Sequence, residues 1–241
     1  MKDLHIFYAP DAATSTELPA EEAGHALRVL RMKVGDDMVL SDGKGCYYHA
    51  YITEIRRSSC SYRIEDTLVE EPEWQGHLHL AMAPTKLIDR VEWFAEKATE
   101  IGFDELSFLD CQYSERHVVK EERIDKILVS AMKQSKRAWK PKLNKMISFK
   151  DFITQEREGD KFICHCHFPF AEEGGQRPLL FDVLRPGVPT TVLIGPEGDF
   201  SAEEVLSSLH HGYKSVTLGR SRLRTETAAL VAVHMMQLKN M

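Results

Sequence analysis

The chain has 241 residues, 43% of them hydrophobic, and a formal net charge of -6. That length suits one large or two small domains with ordinary packed cores. The negative charge excludes wholesale electrostatic wrapping of nucleic acid, whose affinity comes mainly from Lys and Arg meeting phosphates. No run approaches the roughly 18 apolar residues of a membrane helix, and Met1-Lys2-Asp3-Leu4-His5 has no secretory pattern, so a cytoplasmic protein is expected. Five cysteines, an odd set without dense pairing, fit reduced thiols. Any contact with nucleic acid must be local.

From Met38 to about Val69 the pattern alternates with a period of two, Tyr47, His49, Tyr51 and Thr53 against Cys46, Tyr48, Ala50 and Ile52. Asp42-Gly43-Lys44-Gly45 supplies a hairpin turn between two such runs. The first domain is therefore expected over residues 1–71 as a small, mostly β unit, closed by the acidic, proline-containing Glu70-Glu71-Pro72-Glu73. The second is expected over 74–241. There Leu87, Val91, Phe94, Ala98 and Ile101 recur at helical spacing, with Gly102 as the stop, between strand-length runs at His79–Ala83 and Leu106–Leu109.

A second helix is expected from about Arg123 to Ser135, with strands at Lys161–Cys166, Thr190–Ile194 and Ser215–Leu218. This alternation implies a largely parallel α/β sheet. Between Asp125 and Asp151 there is no acidic residue, while Lys126, Lys133, Lys136, Arg137, Lys140, Lys142, Lys145 and Lys150 all occur. That segment can meet phosphates or serve merely as a solvated face. The final helix carries Leu230, Val231, Val233, Met235, Met236 and Leu238 nearly all round, so it is expected to be buried in a core or a dimer interface.

In parallel sheets ligands bind beyond the carboxyl ends of the strands. The loops after Ile194 and Leu218 are both glycine-containing. The first, Gly195-Pro196-Glu197-Gly198-Asp199-Phe200, precedes Ser201-Ala202-Glu203-Glu204, which has capping-box spacing. Neither phosphate-cradling glycine pattern occurs, so P-loop and dinucleotide readings lose ground. The second loop sets Arg220, Arg222 and Arg224 before the last helix. Cys164-His165-Cys166-His167 invites a zinc reading, but in a strand the cysteines face one way and the histidines the other, and four tetrahedral ligands cannot converge; no metal is expected.

Ile194-Gly-Pro-Glu-Gly198, then Leu218-Gly219 and Leu223-Arg-Thr-Glu-Thr-Ala228, resemble the RsmE-type 16S rRNA uridine-N3 methyltransferases of the SPOUT superfamily. Further matching blocks are His25-Ala-Leu-Arg-Val-Leu-Arg31, Gly35-Asp36, Asp42-Gly43, Lys97-Ala-Thr-Glu-Ile-Gly102, Ser114-Glu-Arg116 and Gln134-Ser-Lys-Arg137, so the resemblance spans nearly the whole chain. The chain departs from the family where Asp199 replaces a second glycine and Arg220-Ser221-Arg222 replaces Pro-Arg-Ile.

The resemblance implies an α/β fold whose C-terminal sheet carries a deep trefoil knot, behind a PUA-like N-terminal β-barrel. It implies S-adenosyl-L-methionine held by His167, Ile194, Gly195, Pro196, Glu197, Gly198, Leu218, Gly219, Leu223, Arg224, Thr225, Thr227 and Ala228, with His167 opening the first loop of the knot. It further implies 16S rRNA of the small ribosomal subunit as partner, through His25, Arg28, Arg31, Ser114, Arg116, Gln134 and Arg137, and a homodimer. Arg116 and Arg224 are the candidates for stabilising a uridinate, and Glu197 or Glu226 for taking its proton. Glu226 can equally be a favourable charge at a helix start, and Arg116 a surface partner of Glu115. Two rival functions are a non-catalytic RNA-binding protein and a SPOUT enzyme acting on another RNA.

Overall fold

The computed structural model describes residues 4–167 and 177–241. In chain order the elements are β1 (Ile6–Tyr8), α1 (Ala20–Gly24), a π-helical turn (His25–Val29), β2 (Asp37–Ser41), β3 (Cys46–Ile55), β4 (Cys60–Val69), β5 (Leu78–Met82), α2 (Ile88–Ile101), β6 (Glu105–Asp110) and α3 (Glu121–Gln134). They continue with β7 (Lys142–Leu143), β8 (Ile147–Ser148), α4 (Phe149–Ile153), β9 (Asp160–Cys164), α5 (Leu180–Val183), β10 (Thr190–Ile194), α6 (Ala202–His210), β11 (Lys214–Val216) and α7 (Thr225–Asn240). Two compact units result, Met1–Pro72 with Met132–Lys140, and Glu73–Ala131 with Pro141–Met241. The basic stretch Met132–Lys140 thus folds with the first unit, although most of α3 lies in the second.

In the first unit the sheet order is β1-β2-β3-β4, with β1 parallel to β2 and the rest antiparallel. The expected hairpin turn joins β2 to β3. Asp42 Oδ1 accepts from Lys44 N at 2.7 Å and Cys46 N at 3.0 Å, while Gly43 and Gly45 take φ of 69° and 100°, which a Cβ would oppose. Phe7, Met38, Leu40 and Ile52 fill this core.

In the second unit every pairing is parallel, in the order β11-β9-β10-β5-β6-β7, with β8 also on β6. Central strands β5 and β10 are buried throughout, as strands covered on both faces should be, with His79, Thr190 and Thr191 as their buried polar members. Helix α2 buries Val91, Phe94, Ala95, Ala98 and Thr99 and ends at Gly102 with φ 111°. The capping box is present, Glu204 N donating to Ser201 Oγ at 3.2 Å and Ser201 N to Glu204 Oε2 at 2.8 Å. Glu204 Oε1 also accepts from Gln112 N at 2.8 Å, so the same carboxylate ties the start of α6 to the loop after β6.

Helix α7 is buried along one stripe only. Ala229, Ala232, Val233 and Met236 are buried, but Leu238 is 45% exposed. One stripe packs on the core; the other, with Ile101, Leu179 and Phe181, lines an apolar groove of about 510 Å³. One sheet face covers only about half of a helix, so an apolar all-round sequence leaves its second stripe facing outward.

Candidate active site

Strands β9, β10 and β11 are parallel neighbours, so the chain after Cys164, Ile194 and Val216 emerges at the carboxyl ends of adjacent strands. These three loops and the start of α7 line a cavity of about 640 Å³. It brings together Ile194, Gly195, Pro196, Glu197, Leu218, Gly219, Leu223, Arg224, Thr225 and Ala228 of the expected cofactor set. The size, and apolar walls interleaved with polar and charged groups, suit a polar ligand of nucleoside dimensions. Gly195 is required here by packing: a Cβ would lie 3.1 Å from both the Phe200 ring and Phe200 N. Gly219 has φ 134° and open space beside it, so the backbone there is accessible to a ligand and strained for any other residue.

His167, Gly198 and Thr227, expected at the cofactor, do not line the cavity. His167 Nε2 lies 2.6 Å from Phe200 O, so the ring braces the first loop from behind. Gly198 faces Tyr113, whose Cβ would be 3.1 Å from an added methyl. Asp199 explains its own departure from glycine. Its φ is 67°, a left-handed conformation that Asp tolerates better than most residues, and its carboxylate closes the turn by accepting from Phe200 N at 2.8 Å and Cys166 N at 2.7 Å.

Residues that the motifs alone did not flag for this cavity include Arg90, Cys164, His165, Cys166 and Arg177. The strand argument applied to Cys164–His167 fails beyond Cys164, because β9 ends there and His165 and Cys166 belong to the loop. Burial pushes the Cys164 thiol up to about 12, so it stays neutral. His165 is buried, its Nε2 2.8 Å from Ser215 Oγ, while Arg177 donates to its Nδ1 at 2.9 Å. With a donor on Nδ1, the ring proton sits on Nε2. Burial first, then Arg177, lowers its pKa to about 4. His79 repeats the arrangement inside the sheet, with Ser107 Oγ at 2.9 Å and Arg157 on Nδ1, and burial lowers it to about 3.

Both folded values lie below the ordinary histidine value of 6.5, so the unfolded chain binds the proton first and stability falls as pH drops below about 6.5. The expected loss is about 2 kcal/mol per histidine at pH 5. His77, raised by its hydrogen bond to Glu105, acts in the opposite sense. Denaturant unfolding at pH 7 and pH 5 should therefore show a weaker pH dependence in His79→Gln than in the parent chain. Equal dependence would mean that His79 is protonated in the fold.

Arg116 donates from Nε to Thr85 O at 3.1 Å and from Nη2 to Lys86 O at 2.6 Å. It is not the partner of Glu115, which pairs with Lys86 Nζ at 2.6 Å. Lys86 N in turn donates to Glu197 Oε1 at 2.9 Å, so Arg116 buttresses the strand-end that holds Glu197. Glu226 is buried 3.7 Å from Arg90 Nε, and its Oε2 has no hydrogen-bond partner. Arg224 is exposed at the N-terminal boundary of α7 and lines the cavity, which is framed by five arginines, Arg90, Arg177, Arg220, Arg222 and Arg224, against Glu197 and Asp199.

In the first unit His25, Arg28 and Arg31 are exposed around the π-helical turn. Leu30 N donates to His25 O at 3.1 Å, the i to i+5 bond of a π-helical turn, and Arg31 follows at φ 56°. Gln134 is exposed and Arg137 half-buried. Lys133 is not available to phosphates in the way its charge suggests, since its Nζ lies 2.5 Å from the buried Glu22. In the second unit Ser114 is buried and accepts from Cys111 N at 3.0 Å, a loop-forming role. No helix among the described residues is long and apolar enough to cross a membrane.

The family model described as RNA methyltransferase domain matches residues 72–237, and that of the RNA methyltransferase PUA domain matches residues 18–65. The chain is 28% identical over 224 residues to a ribosomal RNA small subunit methyltransferase E of Rickettsia conorii, covering 92% of this chain and 89% of the other. A structure described as a probable rRNA-methyltransferase from Porphyromonas gingivalis superposes with TM-score 0.89 at 40% identity, covering 98% of each chain. A ribosomal RNA small subunit methyltransferase E from Neisseria gonorrhoeae, bound to S-adenosyl methionine, superposes with TM-score 0.80 at 26% identity over 98% of this chain and 97% of that one. With the cavity at the strand ends and family matches across both units, the chain belongs to the RsmE-type RNA methyltransferases.

Proposed function

We propose that the chain transfers a methyl group from S-adenosyl-L-methionine to N3 of a uridine in 16S rRNA of the small ribosomal subunit, in the cytoplasm. The observation that carries this reading is the cavity at the ends of β9, β10 and β11, with its Gly195 and Gly219 backbone approaches. Backbone groups at Leu218, Gly219 and Leu223 can read an adenine edge, and Ile194, Val216 and Ala228 can cover the ring. When bound, the cofactor supplies a methyl already activated by its sulfonium.

The protein's own task is then alignment and proton removal. Arg224, at the cavity, is assigned to favour the developing uridinate, with Arg116 supporting from the Thr85–Lys86 backbone. Of the two carboxylates, Glu197 lines the cavity and Glu226 does not, so Glu197 is assigned as proton acceptor and Glu226 as the partner that orients Arg90. The rival of a non-catalytic RNA-binding protein is disfavoured by the open cavity. The deep trefoil knot also belongs to this proposal; it is supported by the strand order, in which β11 pairs beyond β9 while α7 packs on α2 and β5. The middle of the β9–β10 connection lies outside the described residues. Mapping the modified nucleotide in RNA from a deletion strain, with and without complementation, tests the reading; an unchanged modification pattern contradicts it.

The N-terminal domain, proposed as residues 1–71, supplies RNA grip. Substituting Arg28, Arg31 and Arg137 by alanine should weaken RNA binding and flatten its salt dependence by roughly one unit of log-log slope per lost phosphate contact, with cofactor affinity unchanged. An intact slope would make these residues a solvated face. A homodimer through the outward stripe of α7 is also proposed, supported by the apolar groove of Leu230, Val231, Met235 and Leu238. Light scattering should give about twice 27.5 kDa; an active monomer at assay concentration would refute it.

A further inference from the structure

The first unit holds an aromatic side chain whose position the cofactor site does not explain. Trp139 is 37% exposed, although burying an indole would be favourable. Its backbone is fixed on both sides to the β2–β3 hairpin. Gly45 N donates to Ala138 O at 3.0 Å, Lys140 N donates to Gly43 O at 2.9 Å, and Lys44 and Trp139 form an antiparallel bridge. The indole lies against Gly45: a Cβ there would be 2.9 Å from Cε2 and 3.0 Å from Cη2. Gly45, at φ 100°, therefore clears a seat for one side of the ring. An aromatic held this way loses little side-chain freedom when a ligand arrives.

The surroundings carry more cations than acids, although Asp42 sits in the same hairpin and Glu70 N donates to Gly45 O at 2.7 Å. Residues 132–140 contain Lys133, Lys136, Arg137 and Lys140 and no acid, and Lys44 lies in the hairpin itself. Lys133 is taken by Glu22, which pins the segment to the unit through its start. Seated aromatic and flanking cations are the combination that holds single-stranded nucleic acid, the ring stacking on a base and the cations meeting the backbone.

We propose that Trp139 is a stacking platform for a nucleobase of single-stranded RNA on the N-terminal unit. The inference rests on the reading that this chain acts on RNA, and it adds a contact to a base where the arginines contact phosphates. A short single-stranded RNA oligonucleotide is the probe, used with the full chain. In the variant Trp74→Phe with Trp93→Phe, Trp139 is the only indole, and its emission should be quenched by the oligonucleotide with the midpoint given by anisotropy. Trp139→Ala should weaken binding roughly tenfold, with the salt slope unchanged, and Trp139→Phe should retain most of the affinity.

Affinity within twofold of the parent in Trp139→Ala overturns the proposal. If that variant fails to fold, by circular dichroism, the emission titration decides: no change at saturating RNA overturns it too. Methyl transfer to ribosomal RNA by the parent chain, measured alongside, separates the two readings. Transfer without any Trp139 response defeats the stacking site alone, and loss of both RNA binding and transfer defeats the RNA reading with it.

Discussion

Gly195→Val is expected to lower affinity for S-adenosyl-L-methionine at least a hundredfold, about 3 kcal/mol by the conversion of tenfold to 1.4 kcal/mol. The first methyl already meets the Phe200 ring and Phe200 N at 3.1 Å. That contact either displaces Phe200, which is fully buried under the loop, or pushes the loop into the cavity. Gly219→Val should act by another route, since nothing lies within 4 Å of its would-be Cβ. There the cost is the φ of 134°, which a β-branched residue does not adopt, so the loop must rearrange. Calorimetry on folded variants checks both. Unchanged affinity in either would move the cofactor away from these loops.

The second large effect is on chemistry. Arg224→Ala should slow single-turnover methyl transfer roughly a hundredfold at saturating RNA, the size expected on removing one charged stabiliser of a developing anion, with cofactor affinity altered by much less. Arg116→Ala should cost less, because its guanidinium is engaged with Thr85 O and Lys86 O and acts through the position of Glu197. Glu197→Gln should also slow single-turnover transfer, because an amide cannot accept the N3 proton. Equal single-turnover rates in Arg224→Ala and the parent would remove Arg224 from the reacting centre.

Much of this architecture was legible because local chemistry and global fold agree. The alternation through β3, the Asp42–Gly45 turn, the spacing from Val91 to Ala98 and the capping box at Ser201 each need only neighbours in sequence. The two loops that line the cavity were legible as glycine-containing turns after apolar strands. Arg90 and Arg177 were not, because their place at the cavity follows from how α2 and the chain before α5 are carried to the strand ends, which no local pattern encodes.

His165 and Cys166 were missed for a related reason. Two-residue alternation has no intrinsic end, and β9 stops at Cys164, where Val216 of β11 is its last partner. The burial of Ser114 and the pairing of Lys133 with Glu22 show the same limit for charge and polarity patterns. A lysine in a basic run looks like a phosphate ligand until the fold sets a buried carboxylate 2.5 Å from it.

The central claim is tested most directly by the product. The purified chain, S-adenosyl-L-methionine and small-subunit ribosomal RNA from a strain lacking the chain's gene are combined, the RNA is digested to nucleosides, and these are separated and weighed by mass spectrometry. The account predicts one new 3-methyluridine per 16S rRNA. A methyl on ribose, on another base position or on no nucleoside at all would contradict it.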